Sequence, residues 1–139
     1  MRSSVNYQTI AKVLCVILSL YFVVSGLSPL LDIDSKLQRI GLAATSEDGK
    51  VAFILIYSSL MVGIGVAMML LARIQKSPIA SLVLASVILS SFVTFRLVGS
   101  FMGGGLTEIQ IAYVIIELAE VATVLFVLHK VSGAQHRAA

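Results

Sequence analysis

Residues 78–128 read PIASLVLASVILSSFVTFRLVGSFMGGGLTEIQIAYVIIELAEVATVLFVL. Two long apolar runs are joined by Gly103-Gly104-Gly105. No residue from Pro78 to Phe95 is charged, and Ile109 to Leu128 is interrupted only by Glu117 and Glu120. Apolar runs of about 18 residues or more have the length and composition of membrane spans. Three glycines, having no Cβ, permit a tight reversal between the two runs. The segment therefore reads as an antiparallel transmembrane hairpin with Arg96, Glu117 and Glu120 inside hydrocarbon. An ionisable side chain costs several kcal/mol there unless it is paired or wetted, so these three residues are the first place to look for a function.

The upstream half repeats the pattern. Val13 to Leu31 and Val51 to Ala72 carry no charge. Of the 139 residues, 58% are hydrophobic and 12% charged, whereas soluble domains are about half apolar and about a quarter charged. Four spans of about 20 residues leave too little chain for an extramembrane domain. The expected fold is all-α: one integral membrane domain over residues 1–139, a four-transmembrane-helix bundle, antiparallel and up-down. The spans fall near 9–27, 49–72, 78–102 and 108–129. The first run has a basic leader and a small-residue site at Ser25-Gly26 and superficially resembles a signal peptide; it is read as a retained helix.

Charge distribution predicts orientation. Arg2 and Lys12 precede the first span, Arg73 and Lys76 sit between the second and third, and Lys130 and Arg137 follow the fourth. In the first loop the acids Asp32, Asp34, Glu47 and Asp48 outnumber Lys36, Arg39 and Lys50, and residues 103–108 contain no base. The positive-inside rule places both termini in the cytoplasm. The net charge of +3 is thus a matter of topology. No basic stripe with interleaved aromatics marks a nucleic-acid surface.

Within the hairpin, Arg96 and Glu117 lie about ten residues either side of the turn, hence at matched depth of about 10–15 Å at 1.5 Å per residue. A salt bridge between them is expected. Glu120 lies one turn deeper and has no cation of its own; it is either a neutral acid or a second partner of Arg96. Gln110, Tyr113, Glu117, Glu120 and Thr123 follow at helical steps, which predicts a polar stripe turned into the bundle. Such a stripe would meet Tyr21, Ser25, Tyr57 or Ser58 and form a cavity for a headgroup, a quinone-like ring or a proton. The competing expectation is a structural ion pair that fixes helix register.

Small residues predict where helices approach closely in lipid. Ser59, Gly63 and Ala67 recur at spacing four on the second span, and Ser86, Ser90 and Thr94, with Gly99, on the third. These are expected to pack helices within the chain, with self-association as the alternative. Residues 30–50 alternate apolar and charged positions, as does an interfacial helix. From Ser132 onward the chain is small and polar and is expected to fray.

Catalytic and metal constellations are absent from the pattern. His129 and His136 are far from the carboxylates and match no ligand spacing, and no nucleophile elbow occurs. Cys15 is the only cysteine, which excludes a Cys-x-x-Cys redox mechanism. No catalytic residue, metal or cofactor is expected. The expected partners are membrane lipid and another membrane protein or a second copy of the chain.

Leu20-Tyr21-Phe22, Gly26-Leu27, Pro29, the Arg96-Leu97-Val98-Gly99 step, the glycine turn and Glu117 resemble a family of small four-helix bacterial inner-membrane proteins grouped as a domain of unknown function. The resemblance covers about residues 10–128. It implies a bacterial inner membrane and singles out Arg96, Gly99 and Glu117, but no activity. More distantly the layout is similar to DoxX-type membrane proteins, although the cysteine pair of thiol chemistry is missing. The function expected from all this is a non-enzymatic accessory or scaffold subunit beside a larger membrane complex. The alternative is a binding or transport module built on Arg96, Glu117 and Glu120.

Overall fold

The computed structural model describes residues 6–136, with side chains described through Gly133. Arg2, Arg137 and the side chain of His136 lie outside that range. Among the described residues every regular element is helical: α1 (Tyr7–Leu27), α2 (Ile33–Arg39), α3 (Glu47–Phe53), α4 (Ser59–Ile74), α5 (Ile79–Met102) and α6 (Glu108–His136).

Local chemistry sets the ends. The Asn6 side chain accepts a bond from the Thr9 amide and caps α1, a role suited to a short polar residue. Pro29 sits in a 3-10 turn over Ser28–Leu30 that closes the helix; Ser28 keeps helical backbone, but proline has no N–H to continue the α-helical ladder. Asp32 caps α2 through the Ser35 amide, and Ser46 caps α3 through the Gly49 amide. A short helix is therefore present within residues 30–50, seven residues long, with Leu37 turned inward. At the hairpin turn Gly104 and Gly105 adopt φ of 92° and 124°, a backbone region that glycine enters without steric cost. Thr107 Oγ1 accepts from the Gln110 amide at 3.3 Å and starts α6.

Helices α3 and α4 form one continuous span interrupted by a π-helical segment, Ile54–Ser58. The candidate spans Tyr7–Leu30, Glu47–Ile74, Ile79–Met102 and Glu108–Gly133 contain 24, 28, 24 and 26 residues. At 1.5 Å per residue they reach about 36–42 Å, enough for a hydrocarbon core of about 30 Å. The chain is a multi-pass membrane protein. Its outer faces are as apolar as its interior: Phe95 is 74% exposed and Phe101 89%. A helix hydrophobic all round belongs in a core or a membrane.

Helix α1 lies along α4, α5 along α6, and α4 against α5; α1 meets α6 more sparsely. The Tyr7 and Phe126 rings are 6.3 Å apart, which places the start of α1 beside the end of α6. Phe22, Met68, Leu82, Leu89, Val124 and Val131 fill the centre. Cys15 is buried, with its Sγ 3.6 Å from the Pro78 carbonyl. Helix α6 continues through Ser132 to His136, where the sequence predicts fraying. Extending an existing helix costs far less than nucleating one, so a serine and a glycine do not stop it.

The expected packing stripes are displaced. Ser59 and Gly63 are exposed, and a Cβ on Gly63 would meet nothing within 4 Å. Ser90 and Thr94 are exposed, Ser86 is half-buried, and Gly99 likewise touches nothing. Ser59, Ser86 and Thr94 hydroxyls bond to carbonyls of their own helices. A hydroxyl satisfied in this way faces lipid at little cost. The close approach is made instead by Gly26 and Gly65. A Cβ on Gly65 would lie 2.6 Å from the Ser19 carbonyl oxygen, and one on Gly26 2.9 Å from that of Ser58.

Candidate functional site

Arg96 descends from α5 into a gap between α5 and α6 and is held by three residues of α6. Its Nε donates to Glu117 Oε2 at 2.9 Å and its Nη2 to Oε1 at 2.6 Å. This bidentate fork is the geometry that a planar guanidinium and a carboxylate share. Nη1 donates to Gln110 Oε1 at 2.7 Å. The guanidinium carbon lies 5.0 Å from the Tyr113 ring centroid, within cation–π range. Glu117 is only 8% exposed. The ion pair is therefore neutralised and oriented, with Glu117 buried and the Arg96 side chain partly open to the cavity beside it.

Gln110, Tyr113 and Glu117 share one face because their steps of three and four track the helical repeat. Glu120 follows within the same wall. Thr123 does not: it is exposed and donates to the Ala119 carbonyl at 2.7 Å. Two consecutive steps of three each fall about 60° short of a full turn, so the stripe winds away from the cavity there. Among the described residues Arg96 donates its hydrogen bonds to Glu117 and Gln110, and none reaches Glu120.

These residues bound a cavity of about 930 Å³ at the end of the bundle that carries α2 and the glycine turn. Tyr21 and Ser25 of α1 and Tyr57 of the π segment form the facing wall. The Ser25 and Tyr57 hydroxyls are 3.1 Å apart. The π segment makes this wall. One extra residue in the turn shifts the helix phase, and π-helical turns are often found at functional sites. Tyr57 stacks on Phe53 with centroids 5.0 Å apart, and Lys36 Nζ lies 5.2 Å from the Tyr57 centroid. Gly99 lies in the cavity wall rather than in a helix contact.

Lys36 and Arg39, at the cavity mouth, are the residues the sequence reading did not assign to the site. The available signal was the Asp32 cap followed by an amphipathic turn, which folds α2 back over the bundle. Among the described residues no group of three or more His, Cys, Asp or Glu side chains is placed to hold a metal ion. Set beside known proteins, the chain matches no family model, no curated protein and no solved structure.

Proposed function

We propose that this chain is a small non-enzymatic membrane protein that binds a lipid-soluble molecule with a polar ring head, such as a quinone, in the cavity beneath α2. One observation carries the reading: Glu120 faces the cavity without a hydrogen-bonding partner among the described residues, while the nearby cation is already committed to Glu117. An unpaired carboxyl at membrane depth is costly, and a ligand that accepts or donates a hydrogen bond offsets that cost. Tyr21, Tyr57 and Tyr113 add flat surfaces for a ring, and the Ser25–Tyr57 hydroxyl pair adds a second polar contact. The test is titration of the protein in lipid nanodiscs with a short-chain benzoquinone, read by calorimetry. Saturable binding is expected, with affinity reduced roughly tenfold in Glu120→Gln and in Tyr57→Phe, the scale of one lost hydrogen bond. Absence of saturable binding, or unchanged affinity in both variants, removes the reading.

A second reading, an accessory subunit, is favoured by the outward groove along Ser59, Gly63, Ala67 and Leu84. Small residues facing lipid fit a helix of another membrane protein or of a second copy. Copurification at fixed stoichiometry supports it, and a lone monomer in mild detergent counts against it.

We further propose a bacterial inner membrane as the location, with both termini cytoplasmic. Lys12, Arg73, Lys76 and Lys130 all belong to the end of the bundle opposite α2, which fits the positive-inside rule. In a Cys15→Ser background, Ser46→Cys should react with an impermeant thiol reagent from the periplasmic side and Ser132→Cys should not. The reverse pattern inverts the orientation.

A further inference from the structure

At the opposite end of the bundle from the Arg96 cavity, α1 and α4 part around a second cavity of about 600 Å³. Its walls are apolar, formed by Val16, Val66, Met69 and Leu70, and its rim carries three cations from three places in the chain: Lys12 of α1, Arg73 of α4 and Lys76 of the α4–α5 turn. Among the described residues no acidic side chain lines it. The antiparallel register of α1 and α4, pinned by Gly26 against Ser58 and Gly65 against Ser19, is what brings Lys12 level with Arg73. Lys76 adopts φ of 51°, a left-handed turn that returns the chain to Pro78 at the cavity edge.

A second feature lies in the same wall. Ser19 is 1% exposed, it lines the cavity, and its Oγ has no hydrogen-bond partner among the described residues. Most buried hydroxyls are bonded, and an orphaned one calls for an explanation. Ser58 is the other such hydroxyl among the described residues, and it lines neither cavity; Ser81 on α5, by contrast, donates to the Met68 carbonyl at 2.6 Å. Ser19 is seven positions beyond Lys12 on α1, about 10 Å deeper at 1.5 Å per residue.

We infer that this cavity is a binding site for one anionic glycerophospholipid of the surrounding bilayer. The phosphate sits among Lys12, Arg73 and Lys76. An ester carbonyl below it accepts the Ser19 hydroxyl, and one acyl chain lies along Val16, Val66 and Leu70. Charge complementarity selects the occupant: a zwitterionic lipid brings its own cation to a rim that already holds three, whereas an anionic headgroup is attracted by basic groups at a membrane surface. The apolar walls exclude a free phosphate ion as the natural occupant, because it would leave them unfilled.

Native mass spectrometry of the protein released from nanodiscs of mixed phosphatidylglycerol and phosphatidylcholine with matched chains tests this. One phosphatidylglycerol is expected to remain bound per chain in preference to phosphatidylcholine. The Lys12→Gln/Arg73→Gln/Lys76→Gln variant should lower that preference roughly a hundredfold, since each of the three basic groups near an anionic surface contributes about 1 kcal/mol. Lys130→Gln serves as the control for general surface charge. Lys130 lies at the same end but outside this cavity, with its Nζ 5.5 Å from the Phe126 ring centroid, and its loss should leave the preference unchanged. Leu70→Trp fills the groove without altering charge and should expel the lipid. Equal retention of the two lipids by the wild-type chain overturns the inference. So does a triple variant that folds, with an unchanged helical circular dichroism spectrum, and keeps the preference, or an equal loss in Lys130→Gln.

Discussion

Glu117→Ala should destabilise the bundle by about 3–5 kcal/mol, the range for removing one partner of a buried ion pair. The cost arises from what remains. Arg96 keeps its charge at membrane depth and loses both bonds of its bidentate contact, at 2.9 and 2.6 Å; Gln110 alone cannot compensate. Glu117→Gln should cost less, because an amide oxygen still accepts one of the two donors. Replacing both partners, as Arg96→Met with Glu117→Leu, should recover most of the loss, since well-packed apolar residues commonly substitute for a buried pair without penalty. Reversible unfolding in mixed detergent micelles, followed by circular dichroism, measures all three. A single variant as stable as the parent chain means that Arg96 reaches water through the cavity, and the pair then has no structural weight. The double variant separates stability from ligand binding: if it folds but no longer binds the quinone probe, Arg96 orients the cavity as well as the helices.

Gly65→Val should lower stability by about 3 kcal/mol or more, while Gly63→Ala, two residues away, should change it by less than about 1 kcal/mol and in the stabilising direction. At Gly65 a Cβ falls 2.6 Å from the Ser19 carbonyl oxygen and 2.7 Å from Val23 Cγ2. Backbone cannot yield as a side-chain tip can, so α1 and α4 must separate, and the Gly26 contact beyond must open with them. At Gly63 there is nothing within 4 Å, and alanine simply restricts the unfolded chain. Thermal melts of both variants in one detergent decide the matter. Equal sensitivity at the two glycines would show that the outward stripe is covered, as a self-associating protein requires. Crosslinking of Gly63→Cys chains then identifies the partner as a second copy.

Much of the architecture is legible in the amino-acid order. Run length and charge suffice for four spans, because hydrocarbon tolerates no unsatisfied backbone and uninterrupted apolar runs of this length cross it as helices. The Arg96–Glu117 pairing follows from counting residues outward from the glycine turn, since a tight turn forces neighbours to equal depth. Thr107 and Asp32 announce their caps by type and position. The charge asymmetry of the connections needs no coordinates either.

Which face of each helix turns inward was decided by the tertiary structure. In water, burying apolar residues and exposing polar ones reveals the core face from sequence. In lipid both faces are apolar, so that signal vanishes, and a small residue serves equally well against a helix or against an acyl chain. Gly63 and Gly65 are indistinguishable by composition; the register of α1 on α4 makes one a contact and leaves the other bare. The π segment at Ile54–Ser58 contains no glycine or proline to announce it, yet it forms the Tyr57 wall of the cavity. The three cations around the second cavity are scattered from Lys12 to Lys76, and helix packing alone brings them to one rim. Depth in the membrane is a one-dimensional property that a sequence encodes directly. The angular position of a helix about its own axis depends on contacts between distant residues, and only the folded bundle determines it.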